Sequence, residues 1–549
     1  MADDSIPAPR VARSALAPLR RPVFRAIWIG ALVSNIGTWV QSVGAAWLMT
    51  SIAPSPDWVA LVQATTALPT LVFSLIAGAV ADMWDRRALM IGSQSWMLLV
   101  AAMLATLTFL GFITPGLLLV LTFALGAGNA FNAPAWQASV GDMVPREELP
   151  SAVAMNAAGF NIARSIGPAV GGAIVAAAGA AAAFLFNALS YFGLIAAVLS
   201  WKRPAAATSR LPRERLFGAI TAGLRYAAQT PSILRVLVRS WSFGFGASAV
   251  WALLPLIARH NLGGGPLTFG ALLGALGIGA VLGAAFIGHA RTWLGTEGLV
   301  NLATAAFAAT TLAVGLVMWL PTVFFMLVIG GAAWLAAMST FNVSVQIAAA
   351  VWVKARALSI YQMSAFGGMA VGSWLWGLVA ADAGVATALV IAGGVMLASL
   401  LLHFRFRMPD LEQLDARPAQ ALPIPHVAVA FEEMSGPVLV TVEYMIDPAD
   451  VVPFTRVMRE LRRIRRRDGA TRWGLYQDVE RPERWVEAFA VGSWAEHLRQ
   501  HGRGTMADRM VIERARAFHR GTEPPHVSHM IRRHPGAVAH ITTTDTAPF

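Results

Sequence analysis

The chain has no cysteine, which excludes disulfides and thiolate-held metal centres. Charge is scarce: Asp, Glu, Lys and Arg make up 13% of the 549 residues, against about 25% in an ordinary soluble protein. No GxxxxGK[ST] phosphate loop occurs, so ATP-driven pumping has no support. Residues 1–22 are polar and lack the short apolar core and small-residue cleavage site of a secretory leader. The first long apolar run is therefore expected to stay as an anchor. No recognised nucleic-acid motif accompanies the basic residues. No cofactor, metal or nucleic acid is expected as a partner.

What is abundant is apolar surface. Hydrophobic residues make up 56% of the chain, and the mean hydropathy is +0.59. A soluble fold of this size has no core large enough to hide them, so lipid must solvate much of the chain. A spanning helix needs about 20 apolar residues. Such runs fall near 26–48, 58–80, 88–111, 115–137, 154–177, 181–200, 240–258, 267–289, 298–319, 322–344, 357–380 and 385–404. The seventh is the weakest, because Arg235 and Arg239 crowd its start.

The formal net charge of +12 is unevenly placed. One set of loops carries Arg20, Arg21 and Arg25, then Arg86 and Arg87, Arg146, the basic stretch Lys202 to Arg215, Arg291, Lys354 and Arg356, and Arg405 and Arg407. The alternate loops are short, and Arg259 is their only basic residue. The positive-inside rule puts the first set, and both termini, in the cytoplasm of a cell inner (plasma) membrane. The expected organisation is a tail 1–22, a six-helix half 23–201, a cytoplasmic loop 202–232, a second six-helix half 233–408, a linker 409–425, an α+β domain 426–535 and a tail 536–549. An amphipathic stretch, 216–228, sits in the central loop. Phe131-Asn132 with Gln137 echoes Phe341-Asn342 with Gln346, as an internal repeat would.

Between spans two and three stands Gly78-Ala-Val-Ala-Asp82-Met-Trp-Asp85-Arg86-Arg87. It resembles the loop 2–3 signature of the major facilitator superfamily, with Met83 in place of a basic residue and Asp85 in place of Gly. The resemblance implies a conformational latch in which Asp82 faces a helix N-terminus and the two arginines bridge the halves. Span five holds Arg164-Ser-Ile-Gly167-Pro168-Ala-Val-Gly171-Gly172, similar to the glycine-proline signature of exporter branches. Its small residues suit close helix packing. Ser34-Asn-Ile-Gly-Thr-Trp39, Asn132-Ala-Pro134-Ala-Trp136-Gln137, Val144-Pro-Arg146-Glu-Glu148, Phe186-Asn187-Ala-Leu-Ser190 and Arg356-Ala-Leu-Ser-Ile-Tyr361-Gln-Met363 resemble the transmembrane secretion effector family, which includes enterobactin and macrolide exporters. The resemblance covers about residues 20–408. It implies a major facilitator fold, all-α with twelve transmembrane helices in two six-helix halves. It also implies export of a small organic molecule (a drug-like compound, siderophore or metabolite) from the cytoplasm by proton antiport.

No Asp or Glu lies within an apolar run, so proton coupling rests on the resemblance alone. Candidate cavity residues are Arg164, Asn35, Gln41, Asn132, Gln137, Asn161, Asn342, Gln346 and Tyr361, polar groups that must find partners or face water inside the membrane. Arg164 lies near the bilayer midplane, where an unpaired charge is costly. It is expected either to hold an electronegative group of the cargo or to be tied to Asn161 and carbonyls near Pro168.

After Met408 the composition changes. Strands are expected over 438–445, 471–478, 485–491 and 526–531, with helices over 449–467 and 494–519. The order βαββαβ suggests a ferredoxin-like α+β domain, loosely similar to dimeric antibiotic-biosynthesis monooxygenase domains. Self-association through it is a possible consequence. The cluster Arg462, Arg463, Arg465, Arg466 and Arg467 reads as a solvated helix face or an attraction to anionic lipid. Two other functions remain open, a membrane-tethered enzyme or a sensor acting through this domain. Neither needs the loop 2–3 and span-five signatures.

Overall fold

A computed structural model describes residues 16–145, 147–201, 216–410 and 435–532. Most of the expected terminal tails lies outside the described residues, as do Arg146, the basic stretch 202–215 and the linker from 411. The chain forms two compact units: 1–213 with 238–340 and 362–406, and 214–237 with 341–361 and 407–549. The second thus groups the central-loop helix and the connection after span ten with the tail.

Among the described residues, ten helices are long and apolar enough to cross a membrane. Two of them, Leu149–Ser200 and Pro266–Leu316, run to 52 and 51 residues, about twice what one crossing needs. Each breaks at a glycine in the left-handed region, Gly179 at φ 80° and Gly295 at φ 65°, where a side chain would be strained. The neighbours of span one, Pro22–Ile52, show that the chain folds back at the first break. Gly30 lies against Leu194, Gly37 against Asn187 and Ser190, and Gly44 against Ala183 and Phe184, an antiparallel run. Trp28 lies against Gly159, Trp39 against Gly167, and Val40 and Val43 against Gly171, a parallel run. The second long helix does the same around Leu320–Ala348. Gly279 and Gly283 meet Val328 and Ala332 in parallel, whereas Thr310 and Phe307 meet Met326 and Trp334 in reverse order. Eight single helices and two folded ones make the twelve expected spans.

Span seven begins at Pro231, not near 240. Its two arginines lie inside the helix because the deeper one is met: Arg239 donates to Asn301 at 2.5 Å and pairs with Glu297 at 3.5 Å.

The second unit contains a four-stranded antiparallel sheet: β1 (Val438–Met445), β2 (Arg472–Gln477), β3 (Arg484–Val491) and β4 (His526–Ile531), in the order β2-β3-β1-β4. Alternate residues Val438, Val440, Val442 and Tyr444 of β1 face the core. Phe454, Met458 and Leu461 of the basic helix Val451–Asp468 pack with Val442 and Tyr444, whereas Val438 and Val440 pack with Phe489, Val491 and Trp494. The expected helix 494–519 is two helices, Trp494–His501 and Met506–Ala517. Gly502 and Gly504 interrupt it, and Thr505 and Asp508 start the second with a reciprocal capping box.

Two of the five clustered arginines are structural. Arg465 pairs at 3.1 Å with Glu487, which is fully buried. Arg467 bonds Asp468 at 2.8 Å and Asp508 at 2.6 Å. Burial pulls the Arg467 guanidinium down, but the two carboxylates outweigh it and hold its pKa above the ordinary value. Its guanidinium also sits 5.2 Å above the ring of Tyr226, on the amphipathic helix Leu216–Gln229. The Tyr226 hydroxyl accepts from Ala350 N at 3.0 Å, and its ring meets Trp352 edge-on at 5.5 Å. Arg503 covers Trp352 from 4.3 Å. The tail therefore touches both the central-loop helix and the segment after span ten.

Candidate functional site

Within the first unit lies a cavity of about 350 Å³. Span one contributes Asn35, Thr38, Gln41 and Ser42, and span two Gln63 and Thr66. Spans three and four add Gln94, Asn129, Asn132, Trp136 and Gln137. Asn156, Asn187 and Tyr191 complete the polar wall, and span seven closes it with Trp251, Ala252 and Pro255. Among the described residues no carboxylate lines it. It offers neutral amides and hydroxyls set beside indoles, a lining suited to a partly polar organic ligand.

The amides are anchored as well as exposed. Asn187 donates to Gln41 in a short hydrogen bond and to the Tyr191 hydroxyl at 3.2 Å. The Ser190 hydroxyl donates to the Asn187 carbonyl at 2.7 Å. The Asn187–Gln41 bond joins two helices and the other two lie within one helix; together they satisfy groups that lipid would leave bare.

Of the nine candidates, Asn35, Gln41, Asn132 and Gln137 line the cavity. Asn161 donates to the Ala157 carbonyl at 2.9 Å, and Gln346 donates to Asn342 at 2.5 Å. Asn342, Gln346 and Tyr361 belong to the second unit, and Tyr361 is buried. Arg164 is 7% exposed and is not a lining residue. Its guanidinium stands 5.6 Å from the ring centre of Trp251, which does line the cavity, and 6.0 Å from Trp334. Among the described residues, neither Nε nor Nη2 of Arg164 has a hydrogen-bond partner. The expected ties to Asn161 and to carbonyls near Pro168 are therefore not made by these two nitrogens. Trp251 was missed in the sequence, because an indole in an apolar run carries no signal that separates wall from packing.

The span-five signature sits where the halves cross. A Cβ on Gly270 would meet the Pro168 carbonyl at 2.5 Å, and one on Gly172 would meet the Pro266 carbonyl at 2.7 Å. One on Gly277 would meet Ser165 Cα at 2.5 Å. On the side of the short neutral loops, Arg259 Nη1 donates to Thr50 and to Ser51, each at 2.9 Å, and its guanidinium lies 5.9 Å from the Trp47 ring. Gly377 lies against Ala60 and Asp57 on the same side.

The loop 2–3 residues behave differently. Gly78 and Asp82 lie in the helix Pro56–Met83, and the side chain of Asp82 is outside the described ones. Asp85 caps the next helix by accepting from Ala88 N at 2.8 Å. Arg86 donates to the Ala138 carbonyl at 2.9 Å and pairs with Asp142 at 3.5 Å. Arg87 donates to the Val198 carbonyl at 3.0 Å and the Leu199 carbonyl at 2.6 Å. These partners belong to the same half as the arginines, rather than to the other one.

Residues 13–535 match the pattern of the family described as transmembrane secretion effector, a span that takes in the sheet domain. The chain belongs to this family. Its curated relatives are transporters, not enzymes. The staphyloferrin A transporter of Staphylococcus aureus is 25% identical over 285 residues, covering 51% of this chain and 70% of the relative. The multidrug efflux pump Tap of Mycolicibacterium fortuitum is 25% identical over 400 residues, covering 71% and 96%. The enterobactin exporter EntS of Escherichia coli O1:K1 is 26% identical over 328 residues, covering 58% and 75%. Among solved structures, a bacterial homologue of the lysosomal transporter Spinster superposes with a TM-score of 0.53 at 14% identity, covering 72% of this chain and 98% of that one. A variant of the nucleoside transporter NupG gives 0.58 at 12%, covering 70% and 100%. The fold is that of a major facilitator transporter, and the protein is a multi-pass membrane transporter of small molecules.

Proposed function

We propose that this transporter exports a small organic molecule from the cytoplasm by alternating access. The observation that carries the reading is the cavity of about 350 Å³ walled by neutral amides, hydroxyls and two indoles. Its volume and mixed polarity suit a drug-like compound, a siderophore or a metabolite. Relatives named as siderophore and multidrug exporters support the outward direction. The positive loops support a cytoplasmic location for both termini.

The contacts of Arg259, Gly377 and Gly172 hold the halves together on the side of the short neutral loops. By the charge rule that side is outer, so this state offers its cavity to the cytoplasm. Asp82, Arg86 and Arg87 form the opposing latch, which engages the other half when the bundle rocks. Arg164 supplies a positive field beside the Trp251 wall and attracts electronegative groups of the cargo. Coupling is to a proton. The described cavity has no carboxylate, so the proton travels on the cargo or on a group outside that lining.

The test is accumulation of labelled drugs, siderophores and metabolites in cells with and without the protein. Cells that carry it should retain less of at least one class, and collapse of the proton gradient should remove the difference. Equal retention across all classes would overturn the export reading.

A further inference from the structure

Three imidazoles meet on the tail's sheet. His497 and His501 stand one turn apart on the helix Trp494–His501. His529 comes from β4, where it pairs with Val440 of β1. The Nε2 atoms of His497 and His501 lie 3.2 Å apart. The ring centres of His497 and His529 are 4.8 Å apart, and ligand atoms of all three fall within 4.8 Å of one another. Trp494 packs against His497 at 5.3 Å and against His529 at 6.1 Å, which limits how far either ring can swing.

This spacing has a chemical meaning. A tetrahedral first-row ion binds imidazole nitrogen at about 2.0–2.1 Å, so two such nitrogens sit about 3.3–3.4 Å apart. The His497–His501 pair is already close to that bite, and the third nitrogen needs to close by no more than about 1.5 Å. The pairing of i and i+4 on one helix face with a third ligand from a neighbouring strand fixes three corners of a tetrahedron. Packing does not require this arrangement, because an apolar trio would fill a seam beside Trp494 without three polar rings to satisfy.

We propose that His497, His501 and His529 bind one divalent first-row transition-metal ion of the zinc type, with the fourth position left to water or a small ligand. An all-imidazole set favours zinc, nickel, copper or cobalt over magnesium or calcium, which take oxygen. The ion would tie the helix Trp494–His501 to the last strand of the sheet.

The test uses the untagged full chain in detergent, stripped by a chelator and titrated with Co²⁺, then with Zn²⁺ in competition. The expected result is one ion per chain with the visible absorption of tetrahedral cobalt. His501→Gln and His529→Gln should each weaken Zn²⁺ binding by about tenfold or more, while His526→Gln, also on β4, leaves it unchanged. His529 is only half-buried, so its variant should keep the wild-type circular dichroism and remain informative if His501→Gln misfolds. No saturable binding, or equal affinity in the wild type and His529→Gln, would overturn the site and leave an N–H···N bond between His497 and His501.

Discussion

Arg259 Nη1 donates to Thr50 Oγ1 at 2.9 Å and thereby fastens the end of span seven to the end of span one. A hydrogen bond to a charged group is worth about 1.5–3 kcal/mol. Arg259→Ala should therefore loosen closure on this side by about tenfold or more. The chain has no cysteine of its own, so a single cysteine placed at the cavity residue Ser42 reports without background. Impermeant thiol reagent applied from the Arg259 side should label it faster in the Arg259→Ala protein. Equal labelling rates would show that the contact does not hold the gate.

Topology follows from loop charge. A reporter fused after Met408 should read cytoplasmic, and one inserted at 259–266 should read on the opposite face. External labelling of intact cells at a site after Met408 would reverse the orientation, and with it the assignment of which side is closed.

The crossing of spans five and eight leaves no space for a side chain at Gly277. Gly277→Leu should force the two helices apart and abolish transport, with a melting temperature several degrees lower in detergent. Gly92, which faces open space, should accept Leu with little change in either measurement.

Arg164→Lys keeps the charge but loses the planar guanidinium that lies over Trp251 and Trp334, and Arg164→Ala loses both. If Arg164 attracts cargo, binding of an anionic substrate should fall in both variants, further in Ala, while a neutral substrate is barely affected. An equal loss for both substrates at matched folding would assign Arg164 to structure alone.

Arg467 bridges Asp468 and Asp508 in a buried site. Removing one member of such a group costs about 3–5 kcal/mol. Arg467→Ala should speed hydrogen exchange in the helix Met506–Ala517, and in Leu216–Gln229 if the Tyr226 contact matters. Arg466→Ala, whose side chain is partly exposed, should leave both helices protected.

The spans were legible because a bilayer demands long apolar runs, and nothing else in the chain resembles them. The fold-backs at Gly179 and Gly295 required only that about 50 apolar residues exceed one crossing. The start of span seven was hidden because Arg239 reads as a helix end until Glu297 and Asn301 are brought to it. Four amides of the cavity wall were visible as polar residues in apolar runs. Trp251 and the position of Arg164 against it depend on helix rotation, which a single sequence does not encode locally. In the tail, strand alternation placed all four strands, whereas the break at Gly502 was lost in a run of helix formers. The His497–His501 spacing was present as an i, i+4 pair, but His529 is joined to it only by the pairing of β4 with β1.

The hydrogen bond between Gln41 and Asn187 carries a consequence for how the protein is made. The ribosome releases span one long before the segment that completes it, since Gly30 meets Leu194 and Gly37 meets Asn187 and Ser190. At about 5–20 residues per second, the wait is on the order of ten to thirty seconds. During that time the first helix sits in the bilayer, or beside the insertion machinery, with Gln41 lacking its later partner. A newly inserted span one is therefore the segment most exposed to quality control, and a nascent chain halted before Asn187 leaves the ribosome should be degraded faster than one halted just after Tyr191 has emerged.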